Sequence, residues 1–180
     1  MNVIEKAKEL KVLISEKDLM ARIKEVADEI NTSYGTEEEL VVIGVLKGAL
    51  MFYTELCKHL KMPVRMEFVS LSSYGNAKES SGKVSALNLH LPELVGKKVL
   101  VVEDIVDTGL TLDFLMNFLR TKCQAGDVKL CALLDKKCAR KFPVYPDYKA
   151  FEIDNKFIVG FGLDLEELFR NLTYIGYIET

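Results

Sequence analysis

The sequence predicts an α/β fold with a central, mostly parallel sheet flanked by helices. Three observations carry this. Apolar runs of strand length alternate with segments of helical periodicity along the chain. Residues 40–46, LVVIGVL, are apolar throughout, as a strand covered on both faces should be. A second run, VLVV at residues 99–102, stops abruptly at Glu103 and Asp104 and leads through a short loop into an amphipathic helix.

The elements follow in order. Ser15 can cap a first helix, in which Leu19, Met20, Ile23, Ala27 and Ile30 recur at helical spacing, with Gly35 just past its end. After the buried strand at residues 40–46 comes a helix carrying Leu50, Phe52 and Leu56. Val64, Met66 and Phe68 alternate with Arg65 and Glu67, the pattern of a half-exposed strand with the apolar set inward. Residues 70–85 are rich in serine and glycine and bury little, so they read as a long flexible loop; Tyr74 inside it points to a lid. The second half gives a strand at residues 98–102, a helix at 111–120 and a strand at 128–134. Short strands near 151–153 and 157–159, a helical turn or two at 166–171 and a last strand at 174–178 complete the chain.

The chain of 180 residues is expected to form one domain spanning residues 1–180, since domains run to about 150 residues. With 49% hydrophobic and 28% charged residues it is neither disordered nor fibrous. The net charge of −3 lacks the basic excess of a nucleic-acid binder. No apolar run reaches the roughly 18 residues of a membrane span, and the first residues read as an ordinary start without a signal peptide. Cys57, Cys123, Cys131 and Cys138 form no CxxC pair. They read as reduced, small buried hydrophobes of a cytoplasmic protein, and His59 and His90 as surface residues.

Residues 99–111, VLVVEDIVDTGLT, carry the chemistry. In an open parallel sheet, ligands bind beyond the carboxyl ends of the strands, where this loop sits. Gly109 permits unusual dihedrals, Thr108 and Thr111 bring hydroxyls, and the helix that follows aims free N–H groups at the loop. That suits a phosphate. Glu103 and Asp104 would repel the same phosphate, so they call for hydroxyls or a hydrated Mg²⁺. A phosphorylated sugar satisfies both ends. Neither a Walker A loop nor a GxGxxG fingerprint is present.

The segment resembles the PRPP-binding motif of the type I phosphoribosyltransferases. VLKGALMF (45–52), SLSSYG (70–75), LLDKK (133–137) and KFIVGFGLDLEELFRNL (156–172) narrow the likeness to the hypoxanthine-guanine phosphoribosyltransferases, in that family's order and over nearly the whole chain. The resemblance implies a type I phosphoribosyltransferase fold, with a small hood built from N- and C-terminal segments and a flexible lid. It implies transfer of the phosphoribosyl group of PRPP to a 6-oxopurine, with Mg²⁺ and with pyrophosphate as the second product. Glu103 and Asp104 would hold the ribose hydroxyls, and the backbone of Asp107, Thr108, Gly109, Leu110 and Thr111 the 5′-phosphate. Asp107 would exchange a proton with purine N7. Lys47 and Gly48 would form the pyrophosphate loop, in this family often with a non-proline cis peptide, joined by Arg170. Lys136 would bond the purine O6, Phe157 would stack on the ring, the Ile158 backbone would meet the base edge, and Asp164 would help place a second Mg²⁺. Ser73 and Tyr74 would come down with the lid. Leu110 stands where some relatives carry Lys, and Ser70 where some carry Arg. The family also implies a homodimer or homotetramer, with small-molecule partners and neither nucleic acid nor membrane.

Each assignment has a plainer alternative. Lys137 stands beside Lys136, so the purine lysine could be displaced by one position. Arg170 and Asp164 could cap local turns. A non-catalytic regulator on the same fold is disfavoured by the net charge of −3 and by Asp107 and Lys136 being in place. A phospho-accepting signalling module would place its acidic pair after the first strand, not before a Thr-Gly loop.

Overall fold

A computed structural model describes residues 3–71 and 91–179. The expected lid positions Ser73 and Tyr74, like His90, lie outside these residues. The chain opens with α1 (Val3–Ala7), β1 (Lys11–Ile14) and α2 (Glu16–Tyr34), then β2 (Leu40–Leu46), α3 (Leu50–His59) and β3 (Val64–Ser70). The second half runs β4 (Lys98–Val106), α4 (Leu110–Thr121), β5 (Asp127–Asp135), a 3₁₀ turn (Lys137–Ala139), β6 (Tyr148–Glu152), β7 (Phe157–Val159) and β8 (Ile175–Ile178). The Ser15 hydroxyl accepts the Asp18 N–H at 3.2 Å, capping α2 as expected.

The main sheet has five parallel strands in the order β3-β2-β4-β5-β6. Successive side chains of a strand point to opposite faces, and the core divides accordingly. Leu40, Val42, Leu100 and Val102 join α2 and α3 through Leu19, Ile23, Phe52 and Leu56. Val41, Ile43, Val99 and Val101 join α4 through Leu112, Leu115 and Leu119. Both faces are therefore covered, which is why β2 reads as an unbroken apolar run.

β3 departs from the expected pattern. Met66 and Phe68 are 49% and 39% exposed, whereas Val69 is buried. β3 is the edge strand, and α3 lies over β2 and β4 instead, with Tyr53 meeting Phe68 at 4.7 Å between ring centres.

A second, antiparallel sheet of order β1-β8-β7 joins the two ends of the chain into a hood. Its Ile14, Ile158 and Ile175 belong to the core on the α2–α3 side. The helical turn expected at residues 166–171 does not form. Glu166, Glu167 and Phe169 have φ of 52°, 67° and 67°, in the left-handed region. Leu165 and Leu168 instead exchange both backbone hydrogen bonds, at 3.0 and 3.1 Å. In so short a run local helix preference is weak, and tertiary pairing decides its shape. Of the cysteines, Cys131 is buried, Cys57 and Cys123 are half-buried, and Cys138 is exposed, against expectation, on the 3₁₀ turn. No helix among the described residues is long and apolar enough to cross a membrane.

Candidate active site

The sheet order reverses at β2. The chain passes from β2 outward to β3, then returns to β4 on the other side. A crevice opens outside the carboxyl ends of the two strands at such a switch. Lys47 and Gly48 follow β2 there, and Glu103 to Thr111 end β4 and enter α4.

β4 runs four residues beyond the expected end, so the acids lie inside the strand rather than after it. Glu103 pairs opposite Ala132 and is 8% exposed. The Asp104 N–H donates to Glu103 Oε1 at 3.2 Å, and the Ile105 N–H to Asp104 Oδ1 at 2.9 Å. Burial pushes both carboxyls up, and the Asp104 charge pushes Glu103 further.

A cleft beside them is lined by Glu103, Ile105, residues 107–112, Val45 and Leu71. Gly109 sits at φ 88° as the cap residue of α4, a conformation that favours glycine. The cap residue Gly109 closes α4 with no side chain, unlike Ser15 at α2; the Leu110 N–H donates to the Thr108 hydroxyl only at 3.5 Å, and residues 110–112 of this first turn line the cleft. That leaves donors and the positive dipole end for an anion. Asp107 is exposed at the mouth of the loop.

Three segments meet around Gly48. The Leu46–Lys47 peptide is cis. A Cβ at Gly48 would run into the Asp104 carboxylate, and one at Gly162 into the Gly48 carbonyl. Only glycines let the β2–α3 loop, the acid pair and the hood approach this closely. From the hood, Arg170 donates to the Gly162 carbonyl at 2.8 Å and pairs with Asp164 at 2.7 Å, while its buried Nε has no partner among the described residues. Asp164 also accepts the Glu167 N–H at 2.9 Å, so it caps the turn and holds Arg170 together. Glu167, which the sequence did not single out, bridges Lys47 at 2.6 Å and Arg170 at 3.2 Å. The two cations expected at pyrophosphate thus share one carboxylate.

Lys136 follows β5, half-buried, and its N–H donates to the Val106 carbonyl at 3.0 Å. Lys137 pairs with Glu152 at 2.7 Å, whereas Lys136 forms no ion pair among the described residues. Phe157 opens β7 and is 48% exposed, while Ile158 is 7% exposed and pairs with Tyr177. Arg140 and Asp135, neither of them predicted as a site residue although Asp135 lies in the LLDKK segment, form a buried pair at 2.5 Å beneath the loop. No pattern in the sequence marks Arg140; Asp135 shows only as an acid closing an apolar run.

Residues 13–166 match the family model of the phosphoribosyl transferase domain. The chain belongs to the phosphoribosyltransferase family. Among phosphoribosyltransferases, it is 41% identical over 169 residues to the hypoxanthine-guanine enzyme of Bacillus subtilis, covering 94% of this chain and 93% of that protein. The structure of a hypoxanthine-guanine phosphoribosyltransferase from Bacillus anthracis matches with a TM-score of 0.87 and 43% identity, over 94% of this chain and 98% of the other. A hypoxanthine phosphoribosyltransferase from Staphylococcus aureus matches with a TM-score of 0.90 and 34% identity, over 99% of this chain and 95% of the other. The expected type I phosphoribosyltransferase fold, with its parallel sheet and hood, is thereby borne out.

Proposed function

We propose that this phosphoribosyltransferase salvages purines, joining hypoxanthine or guanine to the phosphoribosyl group of PRPP to give IMP or GMP and pyrophosphate. One observation supports this best. A helix N-terminus with no cap side chain at Gly109, the buried Glu103 beside the half-buried Asp104, and the Lys47–Gly48 loop converge at the sheet's switch point, where a phosphate, a sugar diol and a pyrophosphate would find separate partners.

In this reading the α4 N-terminus and the backbone of residues 107–111 take the 5′-phosphate, and Glu103 and Asp104 the ribose hydroxyls. Lys47, Gly48 and Arg170 take the pyrophosphate. Lys136 donates to O6 and so selects 6-oxopurines over adenine, Phe157 stacks on the ring, and the Ile158 backbone meets its edge. The C1′–N9 bond forms as the bond from C1′ to pyrophosphate breaks, and the N7 proton passes to the Asp107 carboxylate.

Mg²⁺ fits the donor set. Among the described residues no group of three His, Cys, Asp or Glu side chains encloses a metal, but Mg²⁺ keeps waters and takes one or two carboxylates with substrate oxygens. Glu103 and Asp104 would hold it beside the diol, and Asp164 on the pyrophosphate side; bound there it would supply positive charge against the leaving group. The polypeptide's own contribution is to orient, through Lys47 and Arg170, a group that departs with high negative charge.

The partners in this reading are small molecules, the assembly is a homodimer or homotetramer, and the setting is cytoplasmic. Incubation with hypoxanthine or guanine, PRPP and Mg²⁺ should release one pyrophosphate per nucleotide formed, and adenine should give none. No nucleotide from either 6-oxopurine, with PRPP still bound, would favour the regulator.

A further inference from the structure

We propose that Arg140, braced by Asp135, is the positioning residue that sets Asp107 for proton transfer. The inference rests on Asp107 being the proton acceptor.

The Arg140 and Asp135 side chains are 7% and 1% exposed and meet at 2.5 Å. The guanidinium also serves the phosphate loop, the strand before it and the loop ahead of β6. Its Nε donates to the Asp107 carbonyl at 3.0 Å, its Nη2 to the Val106 carbonyl at 3.1 Å, and its Nη1 to the Val144 carbonyl. The Val106 carbonyl also accepts the Lys136 N–H at 3.0 Å. The segments bearing Asp107 and Lys136 therefore hang from one oxygen. The Lys141 and Phe142 N–H groups both donate to the Thr108 carbonyl, at 2.9 and 3.0 Å. A Cβ at Gly109 would meet Arg140 Cδ at 3.2 Å, so the arginine packs directly against the loop.

Stability alone does not account for this pair. Buried ion pairs are often no more stabilising than apolar side chains of the same size. What an apolar replacement cannot supply is a planar fork that fixes two consecutive carbonyls in one plane. Those carbonyls are the ones through which the chain leaves β4 and turns to present Asp107.

The test is a double-mutant cycle. Arg140→Lys keeps a cation for Asp135, which also has Lys149 at 3.3 Å, but a lysine cannot serve the same acceptors as a fork. With Asp107 present, this variant should lower kcat about 100-fold, the effect of roughly 1 Å of misplacement, with both KM values within about threefold. In an Asp107→Asn background the same change should cost less than about twofold, because the group it positions is gone. Amide exchange at residues 107–111 should quicken by about tenfold or more in the free protein. If Arg140→Lys does not fold, Arg140→Met with Asp135→Asn removes both charges and is read in the same way. Equal kcat losses in both backgrounds, unchanged kcat, or unchanged exchange each overturn the proposal. If Asp107→Asn alone keeps full turnover, the reading of Asp107 fails, and Arg140's role through it fails too.

Discussion

Lys136 and Lys137 differ by one position and by their neighbours. Lys137 is tied to Glu152 at 2.7 Å, while Lys136 lies half-buried beside the Val106 carbonyl. Lys136→Ala should raise the purine KM about tenfold or more, the equivalent of about 1.4 kcal/mol, and leave the PRPP KM within about twofold. The reverse result with Lys137→Ala would shift the purine contact by one residue. Glu167 belongs to the same kind of reasoning. Lys47 beside it, and Arg170 more weakly, hold its carboxyl below the ordinary range, so it stays charged well under neutral pH. On the proposed assignment of Lys47 and Arg170, pyrophosphate would have to displace this anion from both cations. Exposed ion pairs contribute little, so Glu167→Gln should lower the PRPP KM by only a fewfold. A raised KM would mean that Glu167 helps to bind the substrate. The acids, the Thr-Gly loop and the lysines were legible because their chemistry shows in side-chain type and order. Glu167 and Arg140 were not, since their partners lie 120 and 33 residues away in the chain.

β4 and α4 carry the proposed phosphate site as a unit. The strand extends past its apolar run because β5 continues beside it to Asp135, so ladder pairing and not hydrophobicity sets its end. A reading of apolar pattern stops four residues early for that reason. The N-terminal cap of α2 was visible in Ser15, and so was the helix start after Gly109. The turn at residues 160–169 was not, because its left-handed backbone is imposed by pairing with Arg170 and Leu172 rather than by local preference. Gly48 is the tightest joint between these elements. Gly48→Ala should raise the PRPP KM tenfold or more, about 1.4 kcal/mol of binding, because the new methyl collides with the Asp104 carboxylate. Full activity in that variant would show that the β2–α3 loop moves aside freely.

The whole molecule bears a cost at its site. Burial and the neighbouring Asp104 raise the Glu103 carboxyl well above its ordinary value, so the folded chain binds a proton that the unfolded chain has released. The stability linked to this group is present below the unfolded value and is lost as pH rises toward the folded one. Glu103→Gln should therefore raise the ligand-free Tm near about pH 7.5, change it little near about pH 4, and remove turnover. A Tm lowered at both pH values would place Glu103 among the stabilising groups. The alternation of strands and helices gave the parallel sheet and both covered faces, because burial on two sides leaves an unbroken apolar run. It did not give the exposed face of β3, which depends on where α3 lies across the sheet. The claim that joins fold to chemistry is that this switch-point crevice performs the transfer and that Asp107 takes the proton. Its most direct test is kcat and the PRPP KM measured together in Asp107→Asn. A fall in kcat of about 100-fold or more, with the PRPP KM within about threefold, is the predicted result. Equal losses in turnover and PRPP binding, or no loss in either, would contradict it.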